Sequence, residues 1–132
     1  MNAGFLTVDP NDRRPAYQQI AVGVKELIAR GELTEGMALP SVRQMAGDLG
    51  VNFNTVATAY RELQEEGLIA VKPGSGAVVT SRTAAGKPEG LTRPLRTALV
   101  NLILSGMPRA QIRSLVADQL RDLGVAGKGD WR

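Results

Sequence analysis

The 132-residue sequence predicts an α+β fold: three helices closed by a short β-hairpin, then two further helices. Three observations carry this. Apolar residues recur at three- and four-residue spacing in three segments before Gly67. After Gly67 the period changes to short β-branched runs around Gly74, Ser75 and Gly76. Helical spacing returns beyond a break at residues 82–90 that contains Ala, Gly and Pro.

Residues 1–11 show no period and are expected to be a flexible arm. Asp12 is placed to cap a first helix with Pro15 in its first turn, where a missing N–H costs little. Tyr17, Ile20, Val24, Leu27 and Ile28 then mark one buried helical face, and Gly31 offers a stop. Residues 32–40 read as a connector punctuated by Gly36 and Pro40. Ser41 opens a second helix, with Gln44 completing a capping box and Val42, Met45, Ala46 and Leu49 forming the apolar stripe. Gly50 supplies a tight turn. Asn52 caps a third helix whose inner face is Val56, Ala59, Tyr60 and Leu63. Leu68, Ile69 and Val71 pair across the glycine turn with Val78 and Val79. This order of elements over residues 12–81 is that of an N-terminal winged helix-turn-helix, three helices plus a β-hairpin wing.

Beyond the linker, Leu91, Leu95, Ala98 and Leu102 recur at four-three-four spacing, widened by Leu99 and Ile103. Gly106 ends that helix and Pro108 starts another, carrying Ile112, Leu115, Val116, Leu120 and Leu123. Two helices of this size cannot bury their apolar faces alone, so residues 90–123 are expected to be a dimerisation segment that makes the chain a homodimer. Residues 124–132 are expected to be a flexible end.

Composition narrows the chemistry. There is no Cys and no His, which excludes disulfides, thiolate or imidazole metal sites and His-based triads, so no enzyme and no cofactor is expected. No apolar run is long enough to span a bilayer and the first ten residues lack a signal-peptide pattern, so a cytoplasmic protein without membrane partners is expected. The formal charge is +3, unevenly spread. Residues 1–82 carry 8 Lys/Arg against 9 Asp/Glu, a net of −1, whereas residues 83–132 carry 8 against 4, a net of +4. Charge alone therefore does not point to nucleic acid.

Pattern does. In a helix-turn-helix the second helix enters the major groove by its N-terminal end. Here that end is Asn52, Phe53, Asn54 and Thr55, with Ala57, Thr58 and Arg61 on the outward face and Glu62, Glu65 and Glu66 at the far end. Asn suits a bidentate contact to adenine, Thr a base or phosphate, and an apolar group a thymine methyl. Asn52 is first of all a cap. Phe53 sits at the edge of the inner face beside Tyr60, so packing is its favoured reading, with thymine contact as the alternative. Tyr60 reads as core. Arg93, Arg96, Arg109 and Arg113 read as solvated helix faces.

Several ordered motifs are similar to the GntR-family DNA-binding domain, over residues 12–80. They are Pro15 to Ile20, Gly31 to Leu33, Leu39 to Arg43, Gly50 to Val56, Tyr60 to Leu63 and Glu66 to Ile69. The stretches Leu39 to Arg43 and Asn52 to Val56 most resemble the YtrA subfamily, whose short helical C-terminal piece dimerises. The resemblance implies DNA contacts from Arg43, Asn52, Phe53, Asn54 and Thr55, and from the wing tip at residues 72–75, including Lys72 and Gly74. Ser41, which opens the second helix, and Thr58, on the outward face of the third, are further candidates. It also implies a repressor binding a palindromic double-stranded DNA operator, controlling a transporter operon and its own gene. Phe53 departs from the pattern, standing where Pro or Arg is common. A small-molecule effector of unknown identity is left open. The alternative function is a winged-helix protein-interaction module, motivated by the net −1 of the first domain.

Overall fold

The computed structural model describes residues 6–72, 76–80 and 88–124. The chain divides into two compact units, residues 1–85 and 86–132. The first contains α1 (Ala16–Arg30), β1 (Ala38–Leu39), α2 (Val42–Leu49), α3 (Phe53–Glu65), β2 (Ile69–Lys72) and β3 (Gly76–Val79). The second contains α4 (Pro88–Leu104) and α5 (Arg109–Gly124).

In the first unit the periodicity becomes packing. Ile20, Val24, Leu27 and Ile28 of α1 are buried against α3, whose Val56, Ala59, Tyr60 and Leu63 form the centre of the core. Met45 and Ala46 bring α2 onto the same helix. Each fully buried side chain of this size contributes roughly 1.5–3 kcal/mol, so α3 is held from two sides. Tyr60 carries a polar group into the core, and its hydroxyl donates to the Pro40 carbonyl at 2.7 Å. That bond ties α3 to the segment entering α2.

The wing is a three-stranded antiparallel sheet in the order β1-β3-β2. Ile69 faces Val79 and Lys72 faces Gly76 across β2 and β3, while Leu39 faces Ala77 across β1 and β3. The sequence reading missed β1 and treated residues 32–40 as pure connector. A two-residue strand between Gly36 and Pro40 is too short to show alternation. It exists because β3 offers backbone partners: Gly36 N–H donates to the Val79 carbonyl at 2.8 Å, and Val79 N–H to that of Met37 at 2.9 Å.

Two further expectations are corrected. Asp12 does not cap α1: its carboxylate accepts from Arg14 N–H at 2.9 Å and pairs with the Arg14 guanidinium at 2.7 Å, while Pro15 is the N-cap. Proline biases the residue before it away from helical geometry, so the helix cannot reach back to Arg14. Residues 6–11 are likewise no loose arm. Leu6 is buried in the core. The buried Gln19 amide accepts from Asp9 N–H at 2.8 Å and donates to the Asp9 and Arg14 carbonyls at 3.2 and 2.9 Å. Residues 1–5 lie outside the described residues, as does the end from 125 on.

In the second unit α4 starts at Pro88, so the last three residues of the expected linker are helical, with Glu89 in the first turn. Proline is at home at the start of a helix because its missing N–H would be unbonded there. Pro94 lies inside α4, where it removes one intrahelical donor. Among the described residues, Ile112 is the one buried side chain of this unit. Leu91, Leu95 and Leu120 are 58, 56 and 66 % exposed. No helix of the described residues is long and apolar enough to cross a membrane.

Candidate nucleic-acid interface

The site is built on the helix pair α2 and α3 and the turn between them. Gly50 closes α2 in the left-handed conformation, with φ of 70°, and its N–H donates to the Ala46 carbonyl at 2.9 Å. A side chain there would be strained, and the chain would not turn sharply enough to start α3 three residues later. Asn52 then caps α3: its Oδ1 accepts from Asn54 N–H at 2.7 Å. Ser41 does the same for α2, its Oγ accepting from Gln44 N–H at 3.1 Å. Both helices thus present their N-termini, where the backbone dipole favours an anion, with polar caps already oriented.

Asn52, Phe53 and Asn54 are exposed, and Thr55 and Thr58 are half-buried. Asn52 Oδ1 is occupied by the cap, which leaves its amide NH2 for an outside partner. Asn54 has no capping duty and presents both halves of its amide. Thr58, a turn further on, accepts a long bond of 3.4 Å from the Arg61 guanidinium. The acidic end of α3 is turned to other work, with Glu66 pairing Lys25 of α1 at 2.8 Å.

Phe53 corrects the sequence reading. It does not pack beside Tyr60 in the core but is 47 % exposed. As the first residue of α3 it lies before the helix has turned its inner face onto α1 and α2. Its ring instead lies under the Arg43 guanidinium, whose central carbon is 5.6 Å from the ring centroid. Arg43, the second residue of α2, is itself exposed.

Ser41, Arg43 and Lys72 line one open cleft together with Val42, Tyr60, Val71 and Gly76. The cleft brings the wing base alongside the N-terminus of α2. Gly76 is the member that sequence reasoning missed. With φ of 89°, it sits where an added Cβ would come within 3.2 Å of the Leu39 carbonyl oxygen, so it permits the wing to close against β1. Its signal was the glycine pair flanking Ser75, read foremost as a turn, with close approach of the wing to a phosphate compatible with that role. Gly74 lies outside the described residues. The burial of Tyr60 pushes its phenol pKa far above the ordinary value of 10.0, so the hydroxyl stays a donor to Pro40 and takes no part in acid–base chemistry. Among the described residues there is no cluster of side chains suited to a metal ion.

Residues 16–79 match the family model of the bacterial regulatory proteins of the gntR family. The chain is 35 % identical over 100 residues to the HTH-type transcriptional repressor YtrA of Bacillus subtilis, covering 76 % of this chain and 77 % of that protein. Its fold is similar to that of a transcriptional antiterminator from Listeria monocytogenes, with a TM-score of 0.81, 30 % identity and 96 % of each chain covered. It is also similar to YtrA from Sulfolobus acidocaldarius, a GntR-family transcription factor, with a TM-score of 0.62 and 37 % identity over 74 % of this chain and 99 % of that one. A helix pair joined by a left-handed Gly50, capped by Ser41 and Asn52 and flanked by a wing, places this chain in the GntR family as a YtrA-like transcriptional regulator with a DNA-binding helix-turn-helix.

Proposed function

We propose that the chain is a repressor that binds a palindromic operator as a homodimer, with residues 12–81 reading DNA and residues 90–123 joining the two copies. The observation that carries the DNA half is the exposed N-terminal end of α3, where Asn52, Phe53 and Asn54 stand beside Arg43 of α2. Arg is suited to guanine and Asn to adenine by bidentate geometry, while Ser41 and Lys72 suit backbone phosphates. The net charge of −1 over residues 1–82 does not oppose this, because Glu62, Glu65 and Glu66 lie at the end of α3 away from Asn52.

The dimer half rests on the apolar surface of α4 and α5. Leu99, Ile103, Ile112, Val116 and Leu120 line a continuous apolar groove, and a second copy can fill it with the same residues in a self-complementary contact. Two recognition helices related by a twofold axis then meet half-sites about one helical turn apart. The repressor assignment follows the likeness to the Bacillus subtilis repressor. Control of a transporter operon together with its own gene rests only on the resemblance of Leu39 to Arg43 and Asn52 to Val56 to the YtrA subfamily.

In vitro selection from a random DNA pool tests this reading. It should enrich an inverted repeat, bound with an affinity that falls steeply with salt. Replacing Arg43 and Asn54 together by Ala should lower affinity for that sequence about a hundred-fold or more, since each bidentate contact is worth roughly 1–3 kcal/mol. The thermal unfolding midpoint should stay put. Undiminished gel-shift affinity of the double variant would sink the assignment of the site.

A further inference from the structure

We infer that Phe53 is a positioning residue for Arg43: its ring is a platform that holds the guanidinium in place for a guanine edge, rather than a DNA contact in its own right. The inference rests on the operator-binding reading above. Three observations support it. The guanidinium carbon lies 5.6 Å from the ring centroid, within the range in which a cation is drawn to an aromatic face. Both side chains are exposed, so burial does not account for their meeting. Among the described residues no carboxylate forms an ion pair with Arg43, which leaves the ring as its interaction partner.

The physical consequence concerns pre-organisation. An arginine on an exposed helix start samples many rotamers, and a bidentate contact to guanine O6 and N7 needs one planar fork in one orientation. Attraction to the ring face restricts the guanidinium, while its N–H groups remain able to donate to a partner. The two residues come from different helices, Arg43 from α2 and Phe53 from α3. The pair therefore also fixes the two N-termini relative to one another, and the tight Gly50 turn makes that possible. Proline at position 53 would provide no such platform, and Arg would repel the Arg43 charge.

The test is a double-mutant cycle on the full chain. Affinity for the selected operator is measured by fluorescence anisotropy at fixed salt for the wild type, F53A, F53Y, R43A and R43A/F53A. A second duplex carries 7-deazaguanine at the guanine whose loss weakens the wild type but not R43A. F53A should bind about five-fold more weakly, as expected for an exposed cation–π contact. It should show a smaller 7-deazaguanine penalty than the wild type, with unchanged affinity for random duplex and an unfolding midpoint lowered by no more than the loss of one exposed contact allows. F53Y should restore binding, and F53A should have no further effect in the R43A background. Equal losses from F53A with and without Arg43 would overturn the inference, since the ring would then act on DNA directly. Wild-type affinity of F53A would overturn it too. In both cases the wild type still selects an operator and the operator-binding reading stands. That reading fails only if no sequence is enriched, and this inference then falls with it.

Discussion

The two units of the chain are both built on amphipathic helices, yet they finish their cores in opposite ways. In the first, α3 is enclosed by α1, α2 and the sheet, and Val56, Ala59, Tyr60 and Leu63 are all buried. In the second, α4 packs against α5, and Leu95 and Leu120 remain more than half exposed while Ile112 is buried. Seventeen and sixteen residues of helix are not short. The difference lies in the number of neighbours: two helices have one shared face, whereas three helices and a sheet surround a volume. A unit that completes its own core can present a rigid reading head. A unit that does not leaves apolar side chains exposed, which is why a second copy is proposed to cover them.

The sharpest break of this contrast is truncation of one leucine in each unit. Leu63→Ala should destabilise the first unit by about 3 kcal/mol, since it leaves a cavity in a closed core. Leu120→Ala, at an exposed position, should leave the unfolding midpoint of the first unit unchanged and act on self-association instead. Chemical denaturation monitored by circular dichroism at two protein concentrations separates the two cases. A Leu120→Ala effect on the first unit's midpoint would contradict the division.

Next in size is the apolar groove. Ile103→Glu with Val116→Glu should convert the dimer to monomer in sedimentation equilibrium. It should lower operator affinity by about a hundred-fold or more through loss of the paired contact, with helix content retained. A monomeric wild type would refute the dimer proposal outright.

The smallest effect sharpens the account of the first unit. Tyr60→Phe leaves the Pro40 carbonyl without its donor, a cost of about 1–2 kcal/mol at neutral pH. The pH dependence has a definite sign. The folded phenol titrates above the ordinary value of 10.0, so above that pH the unfolded chain loses a proton that the folded chain keeps. Stability from this group is complete below pH 10 and declines as pH rises further. Unfolding of the wild type should therefore become easier in alkali through this group. In Tyr60→Phe that part of the alkaline loss should be missing.

How much of this was legible without coordinates differs by residue, and the reason is local against tertiary interaction. The caps at Ser41 and Asn52 and the left-handed Gly50 depend on hydrogen bonds within three or four residues, so they could be read from spacing alone. The stripes of α1 and α3 followed from the helical period. Asp12 was misassigned as a cap because a nearer partner, Arg14, and the restriction imposed by Pro15 compete for the same residues. Strand β1 and the anchoring of Leu6 depend on partners many residues away, and no local pattern announces them.

The amino-acid sequence by itself determined the helix-turn-helix, the wing and the N-terminal end of α3 as the candidate reading head, because caps, turns and periodicity are short-range. Only the tertiary structure decided where Phe53 goes, because helical angle leaves an edge residue undetermined and the choice fell to a cation on another helix. It likewise decided that Gly76, Ser41 and Lys72 share a cleft, since that depends on how β3 lies between β1 and β2. Short-range rules specify elements; which side chains meet between elements is settled by packing.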